Sequence, residues 1–135
     1  MSLNLSSLDQ SFQLLRQVRA RLLKLHKALL DSETARYEEK FGAIGSKGKL
    51  LELVMGDPWF HWLRDISQFI VQIDEAFSPR VPFTLEQSQQ LLQETERLLT
   101  VSETGTQRQQ KFYAAIQRDP DVATLYGELL HLLNQ

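Results

Sequence analysis

Leu15, Val18, Leu22, Leu25 and Leu29 recur at alternating spacings of three and four, which aligns them along one face of an α-helix. Leu23, Leu30 and Tyr37, each seven apart, form a second apolar stripe about 100° round the same helix. A helix with two adjacent apolar stripes meets more than one neighbour, so it is expected at the centre of its assembly. Ser6 or Ser7 is positioned to cap its start and Gly42 to end it, which makes this first helix unusually long.

Further along, proline and glycine divide the chain. Besides the first helix over roughly 7–41, the stretches 58–77, 85–100 and 107–133 carry proline only beside a cap, with short connections at 42–48, 78–82 and 101–106. Gly45, Ser46 and Gly48 introduce a short helix bearing Leu50, Leu51, Leu53 and Val54, which Gly56 stops. Asp57-Pro58 then restarts the helical pattern: the carboxylate accepts from free first-turn amides, and proline is tolerated at the first helical position. Trp59, Leu63, Ile66, Ile70, Ile73 and Phe77 line one face beyond it. Thr84-Leu85-Glu86-Gln87 fits a capping box ahead of the Leu85, Leu92, Leu99 stripe. A fifth helix carries Phe112, Ala115 and Ile116. Asp119-Pro120 repeats the restart before Val122, Leu125, Tyr126, Leu129 and Leu133, all expected to face inward. No stretch alternates with period two. The predicted fold is all-α: a compact helical bundle of four main helices plus one or two short ones, in a single domain over residues 1–135.

A chain of 135 residues suits one domain, and its ordinary hydrophobic and charged fractions exclude disorder. A net charge of −2 provides no field that would draw it to nucleic acid or anionic lipid. The absence of cysteine removes disulfides, thiolate metal sites and a cysteine nucleophile, and fits a reducing compartment. With no basic-then-apolar leader and no apolar run near the roughly 20 residues that cross a bilayer, the expectation is a soluble, cytoplasmic protein without membrane contact. The Asn4-Leu5-Ser6 triplet matches a glycosylation acceptor but has no meaning without export. Arg16, Arg19, Arg21, Lys24 and Lys27 scatter round the first helix without interleaved aromatics, so nucleic acid is not expected as a partner.

Three motif-like spacings fail on inspection. The segment from Gly42 to Leu50 suggests a phosphate loop, but its spacing is one residue too long, Leu50 replaces the metal-binding hydroxyl, and a helix precedes it. Glu128 and His131 have the spacing of a di-iron helix, yet no second such pair exists and both turn from the apolar face. His61 and Asp65 sit one turn apart on an outer face, where a charge pair implies no chemistry. No catalytic residue, metal ligand or cofactor is assigned.

The informative polar set is Arg19, His26 and Glu33, seven apart, on a line within the apolar sector of the first helix. Tyr37 lies close to that line, and Asp74 and Ser67 fall inside or beside the apolar sector of the 58–77 stretch. Polar groups so placed are costly unless partnered, which predicts one network linking Arg19, His26, Glu33 and Tyr37 to Asp74. Such a network either fixes bundle register or lines a small pocket.

The run Leu25-His26-Lys27-Ala28-Leu29-Leu30-Asp31-Ser32-Glu33, then Tyr37-Glu38, then Asp57-Pro58-Trp59-Phe60-His61-Trp62-Leu63-Arg64, resembles a small bacterial all-helical protein family of no known activity. The resemblance covers roughly residues 20–77. It implies a bacterial source and a helical fold, and it brings no site residues.

The leading functional expectation is a non-enzymatic bundle acting through contact with a protein partner or with itself. Trp59, Trp62 and Phe69 motivate it, because they widen the apolar sector beyond one buried face. The alternative is a small-ligand or metal-binding bundle with a polar site around His26, Glu33 and Asp74.

Overall fold

A computed structural model of the chain describes residues 7–78, 80 and 82–134. Ser6, the Asn4-Leu5-Ser6 triplet, Pro79 and Val81 lie outside the described residues. Six α-helices follow in order: α1 Leu8–Phe41, α2 Lys47–Gly56, α3 Arg64–Ala76, α4 Leu85–Leu98, α5 Gln107–Arg118 and α6 Pro120–Leu133, with a 3-10 segment, Pro58–Leu63, ahead of α3. Among the described residues there is no strand, and no helix is long and apolar enough to cross a membrane. The fold is all-α.

α1 runs 34 residues, about 50 Å at helical rise, and the rest of the chain is built round it. Leu15, Val18, Leu22, Leu25 and Leu29 are each 0% exposed. α3, α4, α5, α6 and the 3-10 segment all pack against α1, which is why its apolar face is wide. The second stripe is buried only in part. Leu23 is 42% exposed because the bundle's perimeter passes over it, whereas Leu30 and Tyr37 are half-buried.

The Pro58–Leu63 segment and α3 run antiparallel to α1. Phe12 packs on Phe77 with ring centroids 4.7 Å apart, Arg19 pairs with Asp74, and Trp59 Nε1 donates to the Glu33 carbonyl at 3.1 Å. The 58–77 stretch is therefore not one α-helix. With about three residues per turn, a 3-10 segment eclipses side chains at i and i+3. That sets Trp59 in line with Trp62 and Phe60 in line with Leu63, and leaves Pro58 and His61 on the exposed third line. Asp57 starts the segment by accepting from Trp59 N at 2.9 Å.

The other caps follow the sequence with one exchange. Ser46 accepts from Lys49 N at 3.1 Å, Thr84 from Gln87 N at 3.1 Å, and Asp119 from Asp121 N at 2.9 Å. The reciprocal capping box forms at Thr106 and Gln109 rather than at Thr84. Gly42 ends α1 at φ 94°, donating its N–H to Glu38 O at 2.9 Å, and Gly45 follows at φ 90°. Both angles lie in the region open to glycine. The stretch 42–46 is thus a helix–helix connection, and residues 47–50 already belong to α2.

α5 and α6 close the bundle. Phe112 of α5 meets Trp62 and Tyr126, at centroid separations of 6.0 Å and 5.4 Å. Tyr126 OH donates to Leu99 O at 2.9 Å, tying α6 to the end of α4. In α6, Leu132 enters the core in place of the expected Leu133, which is half-buried, as are Leu125 and Tyr126. α2 is the exception to this close packing. It has no buried residue, rests mainly on the Pro58–Leu63 segment, and leaves Leu51 and Met55 59% and 66% exposed.

Candidate functional site

The expected single polar network is three separate arrangements. Near the N-terminal end of the α1–α3 pair, Arg19 Nε and Nη2 donate to the two carboxylate oxygens of Asp74. The bond from Asp74 raises the Arg19 guanidinium above its already high value. Both side chains are well exposed, so this bidentate pair contributes little to stability.

At the other end, Glu33 is 3% exposed and its partner is Arg118, the last residue of α5. Arg118 Nη2 donates to Glu33 Oε1, and its Nε donates to Ser32 Oγ at 3.1 Å. Arg36 Nη1 lies 4.0 Å from the same carboxylate oxygen. Because Trp59 Nε1 also holds the Glu33 carbonyl, one residue joins α1 to α5 and to the 3-10 segment. Tyr37 takes no part in this ion pair. Its ring packs among Phe41, Trp59 and Phe60, with centroids 4.7, 5.8 and 5.8 Å away.

Trp62 and Phe69 do not form a surface. They are 6% and 4% exposed and belong to the chain's own core, where α5 covers Trp62 through Phe112. The flank they occupy on the helical wheel serves a second internal neighbour. Trp59 is half-buried, with Arg36 and Lys40 over its ring at 5.5 and 5.8 Å. Of the other polar candidates, Asp65 lies 3.6 Å from Arg108 rather than paired with His61, and Glu128 and His131 are exposed.

His26 is left between these two ion pairs, separated from Arg19 and from Glu33 by about 10 Å of helix each way. It lines a pocket of about 320 Å³ with Val54, Met55, Phe60, Leu63, Arg64 and Ser67. α1 contributes the histidine, α2 the Val54–Met55 wall, the 3-10 segment Phe60 and Leu63, and α3 Arg64 and Ser67. The eclipsing that aligns Phe60 with Leu63 brings both to the pocket. The imidazole makes no hydrogen bond to any described residue. Burial pushes its pKa below the ordinary histidine value, so at neutral pH the ring presents one N–H donor and one bare nitrogen. Arg64 Nη2 donates to Met55 O at 3.0 Å, satisfying a carbonyl at the end of α2 and fixing the guanidinium at the pocket. Ser67 donates to Arg64 O at 3.0 Å, which leaves its lone pairs free.

Two larger grooves have different chemistry. One of about 580 Å³ between α3 and α4 is lined chiefly by Gln72, Glu75, Gln87, Gln90 and Glu94, side chains that water solvates well. One of about 450 Å³ lies between α1 and the start of α6. There Lys27 and Asp31 bond each other at 3.0 Å, and Asp119 caps α6. The first is lined mainly by polar side chains and the second carries charges of both signs beside Ala28 and Leu125, whereas the pocket at His26 is mostly apolar with a few polar groups, the pattern of small-molecule sites. Among the described residues, no three His, Cys, Asp or Glu side chains are grouped to hold a metal ion; Glu33 and Asp74 in particular are not brought to His26.

Of the pocket residues, sequence reasoning singled out His26 and noted Ser67, but missed Arg64 and the α2 wall. The signal was present in the antiparallel register. Residues facing each other across α1 and α3 have numbers that fall on one helix as they rise on the other, and 19 opposite 74 puts 26 opposite residues 63–67. Comparison with family models, with curated proteins and with solved structures finds no match.

Proposed function

We propose that this protein binds a small molecule with an apolar body in the pocket beside His26, rather than acting through a face built on Trp59, Trp62 and Phe69. One observation carries the reading: an unpartnered, half-buried imidazole opens onto a space walled by Val54, Met55, Phe60 and Leu63. Neither ring nitrogen is closed off, so both stay accessible from the pocket, where a ligand would meet them. Here the carboxylates that would satisfy it are engaged elsewhere, by Arg19 and by Arg118. The volume lies at the lower end of ligand pockets, which run from roughly 300 to 1,000 Å³. The protein acts as a binding module, with His26 as the polar contact and no reaction assigned.

The test uses N-phenyl-1-naphthylamine, an uncharged dye that brightens in apolar sites. The wild-type chain binds one equivalent saturably. Ser67→Trp fills the pocket at a position whose hydroxyl bonds only its own helix. It weakens binding by about tenfold or more, the loss expected from excluding one ring, while the melting temperature stays within a few degrees. Unchanged dye affinity in a folded Ser67→Trp protein contradicts the proposal.

A further inference from the structure

Building on that pocket, we propose that its ligand is a monoanion, a carboxylate on an apolar chain or ring, with the carboxylate held by Arg64. The lining residues include one permanent charge, Arg64, and no acid. Arg64 is one of four arginines, with Arg16, Arg21 and Arg80, that pair with no carboxylate among the described residues, and of the four it alone lines one of the three pockets described above. Arg19, Arg97, Arg108 and Arg118 each reach a carboxylate of the chain, at Asp74, Glu94, Asp65 and Glu33. Among the described residues Arg64 has no carboxylate, and its one acceptor is the Met55 carbonyl at 3.0 Å. Of its five N–H donors, four remain for a ligand, on a guanidinium already oriented by that bond.

The other polar groups narrow the choice. His26, kept neutral at neutral pH by its burial, adds one donor and no charge. Ser67 has directed its proton to Arg64 O and offers only lone pairs. A single cation with one neutral donor beside it suits a monoanion with two oxygens better than a phosphate dianion, which calls for more donors. An ammonium head finds no carboxylate in the pocket to receive it. The apolar remainder must fill about 320 Å³, roughly ten water volumes, the scale of an eight-carbon chain or a substituted aromatic ring.

Octanoate, octan-1-ol and octylammonium share one tail and differ in the head, so titration calorimetry with the three separates tail from charge. Octanoate binds about tenfold or more tighter than octan-1-ol, as a charge-assisted contact to arginine predicts, and octylammonium binds weakest. Arg64→Gln brings octanoate to the level of octan-1-ol and leaves the alcohol's affinity in place, which also shows that the pocket survives the substitution. Arg64→Lys keeps the preference for octanoate. Equal binding of carboxylate and alcohol overturns this inference alone, and so does a preference that persists in Arg64→Gln. Loss of alcohol binding in both variants makes Arg64 a wall rather than an anchor and overturns it too. If none of the three compounds binds, the pocket reading itself falls, and this inference with it.

Discussion

Glu33 and Arg118 stand 85 positions apart in the chain and form an ion pair that is closed to solvent on the glutamate side, with Glu33 3% exposed. The pair fastens the end of α5 to the C-terminal half of α1. Removing one partner of such a pair leaves a buried charge uncompensated, at a cost of about 3–5 kcal/mol. Arg118→Met is therefore strongly destabilising in urea unfolding. Glu33→Leu added to it recovers much of the loss, because the double variant buries no charge. Additive losses in the two single variants and the double variant would contradict a coupled pair.

The two tryptophans of the 3-10 segment differ in their indole N–H. Trp59 Nε1 bonds the Glu33 carbonyl at 3.1 Å, while Trp62 Nε1 is buried with no acceptor among the described residues. Trp59→Phe costs about 1 kcal/mol, the net worth of a hydrogen bond. Trp62→Phe is close to neutral, because the lost ring area is offset by relief of a buried unpaired donor, which costs about 1–3 kcal/mol. Trp62→Ala opens a cavity against Phe112 and costs about 3–5 kcal/mol. Chemical unfolding of the three variants checks the order.

On α1, adjacent leucines have opposite roles. Leu22 is 0% exposed and Leu23 is 42% exposed. Leu22→Ala destabilises by about 2–5 kcal/mol, and Leu23→Ala by less than about 1 kcal/mol. Thermal unfolding of the two variants side by side measures the contrast.

The His26 imidazole has a pKa lowered by burial from its ordinary 6.5. The unfolded chain therefore takes up a proton at His26 at higher pH than the folded one. The stability this ring contributes is present above pH 6.5 and is lost as pH falls towards the lowered folded value. Compared with His26→Gln, the wild-type chain loses melting temperature between pH 7.5 and pH 5. A difference between the two proteins that does not vary with pH would contradict a buried neutral ring.

The fold was readable because its determinants are local. The leucine spacing of α1, the Asp57-Pro58 and Asp119-Pro120 restarts and the absence of period-two patterning each act within a few residues. The site was readable only in part. Wheel geometry places Arg19, His26 and Glu33 on one line, but it cannot supply Arg118, whose approach depends on how α5 folds back over α1. It also cannot tell a flank covered by another helix from one left open, which is why Trp62 and Phe69 read as surface and lie in the core. The 3-10 pitch of Pro58–Leu63 needs the packing of Trp59, Phe60, Trp62 and Leu63 to select it, and that pitch shapes the pocket wall.

The most direct measurement of the central claim is a methyl and imidazole NMR titration with octan-1-ol. The account predicts saturable shifts confined to the Val54, Met55 and Leu63 methyls and the His26 ring, with Val122 and Leu129, buried in α6, unmoved. Shifts that never saturate, or that leave His26 and Leu63 unchanged, would contradict a ligand pocket at this place.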